Sequence, residues 1–152
     1  MLHLDLLQYK DQLQTRSENN TTRIFDPVRR TWVLLQPEEL VRQLFIYYCI
    51  STNLSSVNTM SIERQISVND LHRRYDIALH DAHGAPWLLV ECKAPTVPVS
   101  QKTMDQIAHY NIALQVPYLI ITNGIDTYGC RIDFDNKSFE EIFEMPDLNT
   151  AF

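Results

Sequence analysis

The sequence predicts an α/β domain with a central sheet and at least two helices. Two segments, residues 37–51 and 100–115, carry apolar side chains at helical spacing, and both begin with helix-start signals. Short segments of strand character lie between and after them. The clearest are residues 73–81 and 86–93, which flank a glycine-containing turn, and the unbroken apolar run 117–122, which is typical of a buried central strand.

Local signals define the remaining elements. Pro37 occupies the first helical position and is followed by two glutamates near the positive end of the helix dipole. Ser100 is the expected N-cap of the second helix. The polar residues 17–22 and 53–59 predict loops. Further extended segments are predicted at residues 23–26, 31–35, 61–68, 126–134 and 139–145.

Composition predicts a single globular domain spanning residues 1–152. A chain of 152 residues, 45% hydrophobic and 21% charged, buries roughly two thirds of its unfolded surface. It has no apolar run near the roughly 18 residues that cross a bilayer, so we expect neither a membrane span nor a secretory leader. The three cysteines are far apart and lack CxxC spacing, which fits a cytoplasmic protein.

The charge balance excludes one class of nucleic-acid binding. The chain has 13 Lys and Arg against 19 Asp and Glu, a net charge of −6, and a pI of about 5.2. Proteins that hold nucleic acid unaided present a basic face, because affinity comes largely from phosphate contacts. Any nucleic-acid function therefore requires a local basic patch, a metal ion or a partner.

Two acids and a lysine are predicted to converge in the hairpin of the two clearest strands. With the turn centred between His83 and Gly84, Asp76 lies opposite Glu91, with Cβ atoms about 4.5–5.5 Å apart. The period of two along a strand places Lys93 on the same face as Glu91. Glu91 also ends an apolar run, where burying an acid is costly.

This arrangement has two interpretations. Two close carboxylates repel unless a cation or a proton lies between them, and hard oxygen ligands suit Mg²⁺, for which Mn²⁺ can substitute. A lysine beside the metal can orient a water, which predicts metal-assisted hydrolysis of a phosphodiester. Alternatively, Asp76 and Glu91 are ordinary strand acids, with Lys93 as an ion-pair partner.

At these residues the chain resembles the PD-(D/E)xK nuclease superfamily, and within it the N-terminal nuclease-like domain of type I restriction enzyme R subunits, in a short stand-alone form. The similarity covers residues from about 23 to 145, the core of the domain. It rests on IFD at 24–26, PEELVRQ at 37–43, RYDI at 74–77, LLVECKAP at 88–95, QIAHY at 106–110 and YLIITNG at 118–124. The ECKAP block with the downstream QxxxY is the most specific part.

The resemblance implies a restriction-endonuclease-like mixed central sheet flanked by helices, and a Mg²⁺-dependent deoxyribonuclease acting in restriction or DNA processing. It implies that Asp76, Glu91 and the backbone carbonyl of Cys92 bind the metal, with Lys93 as the catalytic lysine. The family's helix acid corresponds to Glu39 or, as the weaker alternative, to Glu38, and both residues also suit a first helical turn. Tyr75 stands where the superfamily's name has proline.

DNA contacts are expected from a few side chains near these acids. Gln106 and Tyr110 lie one helical turn apart on one face, and the resemblance places that helix beside the active site and the DNA backbone. Lys102 precedes them on the same helix. By strand alternation Arg74, and not Arg73, faces the Asp76 side.

Two alternatives to an autonomous nuclease remain open. The net charge of −6 favours a non-catalytic or partner-dependent DNA-processing module on the same fold, acting with a protein partner or as a homo-oligomer. In the second alternative, the acids form an ion-pair cluster, and the protein has a different function. For Arg42, one helical turn after Glu38 and Glu39, a plain ion pair is the leading interpretation.

Overall fold

The computed structural model describes residues 1–150, and this part of the chain contains two α-helices and eleven β-strands. The helices are α1 (Pro37–Ser51) and α2 (Gln101–Asn111). The strands are β1 (Thr15–Glu18), β2 (Thr21–Asp26), β3 (Thr31–Leu34), β4 (Met60–Ile62), β5 (Gln65–Val68), β6 (Leu71–Arg74), β7 (Ile77–His80), β8 (Pro86–Cys92), β9 (Tyr118–Thr122), β10 (Thr127–Asp133) and β11 (Ser138–Glu141). Short 3-10 helices span Leu6–Gln12, Val57–Thr59, Ile112–Leu114 and Leu148–Thr150.

The central sheet is mixed, which confirms the predicted fold class. Its six strands have the order β11-β10-β9-β8-β7-β4. Strands β8 and β9 are parallel, and their neighbours pair antiparallel. A parallel pair needs a long crossover connection, and α2 provides it here. Two smaller sheets, β1-β2-β3 and β5-β6, complete the architecture.

The two helices build separate apolar cores on the two faces of this sheet. On one face, Val41 and Phe45 of α1 pack in a cluster with Leu88, Val90 and Cys92 of β8. On the other face, α2 residues including Met104 and Ala108 pack in a cluster with Leu89 of β8. Alternation along β8 therefore assigns Glu91, like Leu89, to the α2 face and Cys92 to the α1 face.

Both helices begin where the sequence predicts. Helix α1 has Pro37 at its first position and ends at Ser51. At the start of α2, Ser100 Oγ accepts a hydrogen bond of 3.3 Å from the backbone N–H of Thr103. Regular α-helix ends at Asn111, earlier than predicted, because the chain tightens into a 3-10 turn and then adopts a left-handed conformation at Gln115. Neither helix within residues 1–150 is long and apolar enough to span a membrane.

Two predicted strands are each interrupted, and this corrects the sequence-based expectation for Asp76. Residues 61–68 divide into the end of β4 and β5, and residues 73–81 divide between β6 and β7. The interruption occurs where Glu63 adopts a positive φ of 52°. Backbone hydrogen bonds still link the two segments, from Glu63 N–H to Asp76 C=O at 3.0 Å and from Tyr75 N–H to Arg64 C=O at 3.3 Å. Asp76 thus lies at a bend instead of inside a strand.

The hairpin register next to this bend is as predicted. Ile77 pairs with Val90 and Ala78 with Leu89, which is the register that brings Asp76 level with Glu91. The predicted final extended segment, residues 139–145, is shorter in the structure, where β11 ends at Glu141.

We predict that Leu119→Ala lowers the free energy of unfolding by about 2–5 kcal/mol, measured by urea denaturation. Leu119 is fully buried on β9, between β8 and β10, so its loss leaves a cavity in the centre of the sheet. Leu7 is 60% exposed, and Leu7→Ala is the control, with a change under about 0.5 kcal/mol. Equal effects of the two substitutions would contradict the assigned core.

Candidate active site

Glu91 and Lys93 lie together at the carboxyl end of β8. Lys93 Nζ is 3.6 Å from Glu91 Oε1, and the backbone N–H of Lys93 donates to Thr122 C=O on the parallel neighbour at 2.8 Å. The other carboxylate oxygen, Glu91 Oε2, is buried and has no hydrogen-bond partner in the described chain. Glu91 is thus an acid held partly out of water with one oxygen free to accept a ligand.

The electrostatic surroundings of Glu91 favour its protonated form. Burial raises the pKa of Glu91 above its usual range, and the negative charge of Asp76 raises it further. The positive charges of Lys93 and Arg73 lower it, but they do not offset burial. Two carboxylates thus repel each other across this site, as the sequence predicts for a position that takes a proton or a cation.

Both carboxylate oxygens of Asp76 are already engaged by donors. Oδ2 accepts the backbone N–H of Cys92 at 2.7 Å, which ties the bend to the end of β8. Oδ1 accepts from Nη2 of Arg42 at 2.7 Å. The Cys92 side chain itself is buried, and burial raises the pKa of its thiol well above the usual range, so the thiol is inert.

A test of the donor set for Mg²⁺ gives a partial fit. Glu91 Oε2 and the Asp76 carboxylate are hard oxygen donors, and Mg²⁺ keeps several waters while using one or two protein carboxylates. Within residues 1–150, no group of three or more His, Cys, Asp or Glu side chains is arranged as a metal cage. The residues present suit an open, water-rich cation site.

Arg42 of α1 links the helix to Asp76. Its side chain is 5% exposed. Arg42 also forms a short ion pair with Glu39, and it lies 3.4 Å from Glu63 and 3.5 Å from Glu38. Burial alone would lower the pKa of Arg42, but the hydrogen bond with Asp76 and the charges of Glu39 and Asp76 outweigh it and raise that pKa. Arg42 is thus a permanent cation beside the candidate metal ligand.

A second arginine completes a buried charge network. Arg29 contacts Asp26 at 2.6 Å, Glu39 at 2.8 Å and Glu63 at 3.0 Å. Gln43 Nε2 donates to Asp26 at 3.0 Å and to Glu39 at 2.9 Å. Glu39, the predicted helix acid, therefore lies between two arginines, and Arg42 connects it to Asp76.

Four members of this network, Arg29 among them, were not predicted from the sequence as site residues. Asp26 is fully buried and directly follows two apolar residues, a shorter form of the signal that identified Glu91. Gln43 follows Glu39 by one helical turn, so it lies on the same helix face. Glu63 has no comparable signal, because its position depends on a left-handed backbone conformation that is unusual for glutamate.

Two of the four predicted DNA-contacting residues, Arg74 and Tyr110, contact side chains next to this site. Arg74 is 67% exposed, and its Nη2 is 3.4 Å from Glu63 Oε2, on the side of the charge network. Tyr110 is 71% exposed and lies against Arg73. Gln106 and Lys102 are exposed on α2, and within residues 1–150 neither forms a hydrogen bond or ion pair with Asp76 or Glu91.

We predict that Glu91→Gln stabilises the protein without added metal at pH 7. Because the pKa of Glu91 is raised in the folded state, the folded protein binds more protons than the unfolded chain above the unfolded pKa, and stability falls as pH rises through this range. The neutral amide removes that penalty. Urea denaturation from pH 4 to 8 should show an advantage for the variant that shrinks as pH falls. An advantage that grows toward low pH would contradict the assignment.

Comparison with known proteins places the chain in a family. No curated protein matches it. A family model described as type I restriction enzyme R protein N terminus matches residues 37–146, more than half of the chain. The match begins at α1 and continues past β11, so it includes Glu39, Arg42, Asp76, Glu91 and Lys93. The chain therefore belongs to the family of type I restriction enzyme R protein N-terminal domains.

Proposed function

We propose that this protein hydrolyses DNA phosphodiesters with Mg²⁺, or with Mn²⁺ in its place, in restriction or DNA processing. The observation that carries this proposal is the buried, unpartnered Oε2 of Glu91, close to Asp76 and beside Lys93. Membership in a restriction-enzyme family supports DNA as the substrate. The arrangement of Asp76, Glu91 and Lys93 resembles a PD-(D/E)xK site, and membership in that superfamily is part of the proposal.

Each residue has a role in this proposal. Glu91, Asp76 and the Cys92 carbonyl hold the cation, which when bound supplies positive charge to the phosphate and stabilises charge that develops there. Lys93, 3.6 Å from Glu91, orients the attacking water. Gln106 steadies the phosphate. Glu39 acts through Arg42 and holds Asp76 in position, which makes it a positioning residue.

The proposed DNA surface is small and local, as the net charge of −6 requires. Two exposed cations are candidates for phosphate contacts, Arg74 near the charge network and Lys102 on α2. Together with Lys93 they offer contacts to a few phosphates. Such contacts position the duplex without reading its sequence.

A second candidate function is a partner-dependent or non-catalytic DNA-processing module. It is favoured by the Arg42–Asp76 ion pair of 2.7 Å, because the guanidinium already neutralises the carboxylate that a divalent cation would use. A protein partner or the DNA itself would then have to shift Arg42 before the cation binds fully. The two experiments below distinguish this candidate from an autonomous nuclease.

We predict that Mg²⁺ or Mn²⁺ raises the melting temperature of the wild-type protein and that Asp76→Asn abolishes the shift. Metal binding to the folded state stabilises it by RT ln(1 + [L]/Kd), about 2.7 kcal/mol at a concentration 100 times Kd. The measurement is thermal unfolding across a metal titration. The amide keeps the size of Asp76 and removes its charge. A metal-dependent shift that persists in Asp76→Asn would contradict the assigned ligand.

We predict that the wild-type protein cleaves DNA with Mg²⁺ or Mn²⁺ and that Lys93→Ala reduces cleavage at least 100-fold, because a lost general acid–base or positioning group costs about 10²–10⁴. Plasmid, linear duplex and single-stranded DNA are tested in parallel. Lys10 is exposed on the N-terminal 3-10 helix, and Lys10→Ala is the matched control, expected to cleave normally.

The pattern of results separates the two candidates. Cleavage that survives Lys93→Ala would remove the active-site assignment. Metal-dependent stabilisation without cleavage by the wild-type protein would favour the partner-dependent module. If the protein shows neither, the autonomous nuclease fails, and the Arg42–Asp76 ion pair either is structural or belongs to a module that binds metal only with a partner.

A further inference from the structure

Arg73 is held between two tyrosine rings next to the candidate active site. Its guanidinium carbon is 5.8 Å from the ring centroid of Tyr75 and 5.4 Å from that of Tyr110. Both distances are within the range of cation–π attraction, about 6 Å. Arg73 is half-buried at the end of β6, just before the bend that contains Asp76. The strand, the bend and α2 thus meet at this side chain.

The guanidinium of Arg73 has no anionic partner in residues 1–150. Arg29, Arg42 and Arg74 each form ion pairs with acids of the charge network, whereas Arg73 forms no ion pair or side-chain hydrogen bond there. A cation–π contact leaves the N–H groups of a guanidinium available to acceptors. Arg73 therefore presents a cation with free donors beside two tyrosine rings.

The supporting tyrosines have different environments. Tyr75 is 2% exposed, and its hydroxyl donates to Asn111 Oδ1 at the end of α2, so this ring is fixed in the core. Tyr110 is 71% exposed and contributes its ring from the solvent side. Together they restrict the rotation of Arg73 before any ligand binds, which reduces the entropy lost on binding.

The location connects Arg73 with Glu91. Arg73 lies close enough for its positive charge to act on the Glu91 carboxylate, in opposition to the burial of that group. Across the site, Arg74 points to the charge network instead, with Glu63 as its partner. The two adjacent arginines therefore point to opposite sides of the site, and Arg73 is the one on the Glu91 side.

We propose that Arg73 binds a backbone phosphate of duplex DNA on the Glu91 side of the site, with Tyr110 as the residue that positions it. The inference rests on the proposed function for the identity of the ligand, and it names a contact that the sequence pattern assigned to Arg74. A planar guanidinium with free edge donors matches two phosphate oxygens, and the tyrosine pair sets its orientation. Tyr110 acts through its ring face and not through its hydroxyl.

Equilibrium binding to a labelled duplex oligonucleotide in EDTA tests this contact without cleavage. Fluorescence anisotropy of the full chain is measured over a range of salt concentrations. Arg73→Gln should weaken binding roughly 10-fold and reduce the slope of log K against log[salt] by about 1. Arg23→Gln removes the same charge from an exposed position on β2 and should change affinity less than about 2-fold.

Variants of Tyr110 separate the ring from the hydroxyl. Tyr110→Phe keeps the ring and should bind like the wild-type protein, whereas Tyr110→Leu should weaken binding about 3- to 5-fold, in line with the loss of a cation–π contact. Urea denaturation of each variant shows whether it is folded. A loss in Tyr110→Phe equal to that in Tyr110→Leu would overturn the positioning role.

DNA binding and DNA cleavage are measured separately, so either can fail without the other. Unchanged affinity and salt slope in Arg73→Gln would overturn the inference, and so would the absence of duplex binding by the wild-type protein. Inorganic phosphate that displaces the duplex at an equal molar concentration of phosphate groups would assign Arg73 to a free anion and also overturn it. If the wild-type protein binds DNA through Arg73 but never cleaves it, the proposed function fails while the inference stands.

Discussion

The ion pair between Arg42 and Asp76 is the interaction on which the site depends. It joins the first turns of α1 to the bend between β6 and β7, while the Cys92 N–H joins the same carboxylate to β8. Three elements from distant parts of the chain thus meet at one side chain. A buried guanidinium of this kind is costly to desolvate, and its several acidic partners offset that cost. The network is accordingly better suited to fixing geometry than to adding stability.

The bend has a second effect, because it separates the functional side chains into two groups. Asp76 turns toward Arg42 of α1, while Glu91 remains on the α2 face with a free buried oxygen. The charge of Asp76 is thereby balanced by Arg42, whereas Glu91 remains buried beside another negative charge. Of the two acids, it is therefore Glu91 whose surroundings favour a proton or a cation.

The sequence predicted most of this arrangement, and the failures have a physical reason. Periodicity and capping located α1, α2 and the hairpin register, and an acid ending an apolar strand identified Glu91. The bend at Asp76 was missed because it depends on Glu63 in a left-handed conformation, a tertiary effect with no local signal. Strand alternation predicted Arg74 on the Asp76 side, where its side chain contacts Glu63, whereas the contact of Arg73 with Tyr110 of α2 depends on tertiary packing and has no local sequence signal.

The parallel pairing of β8 with β9 has a consequence for the order of folding. Asp76, Glu91 and Lys93 are all made before α2 and β9, yet the Lys93 N–H needs the Thr122 carbonyl and Glu91 needs the cover of the α2 face. A nascent chain that ends before β9 therefore contains every candidate catalytic residue, but these residues do not yet form the site. Pairings between distant segments form slowly because their loops must close first. Any activity that the site has would thus begin only after β9 pairs with β8.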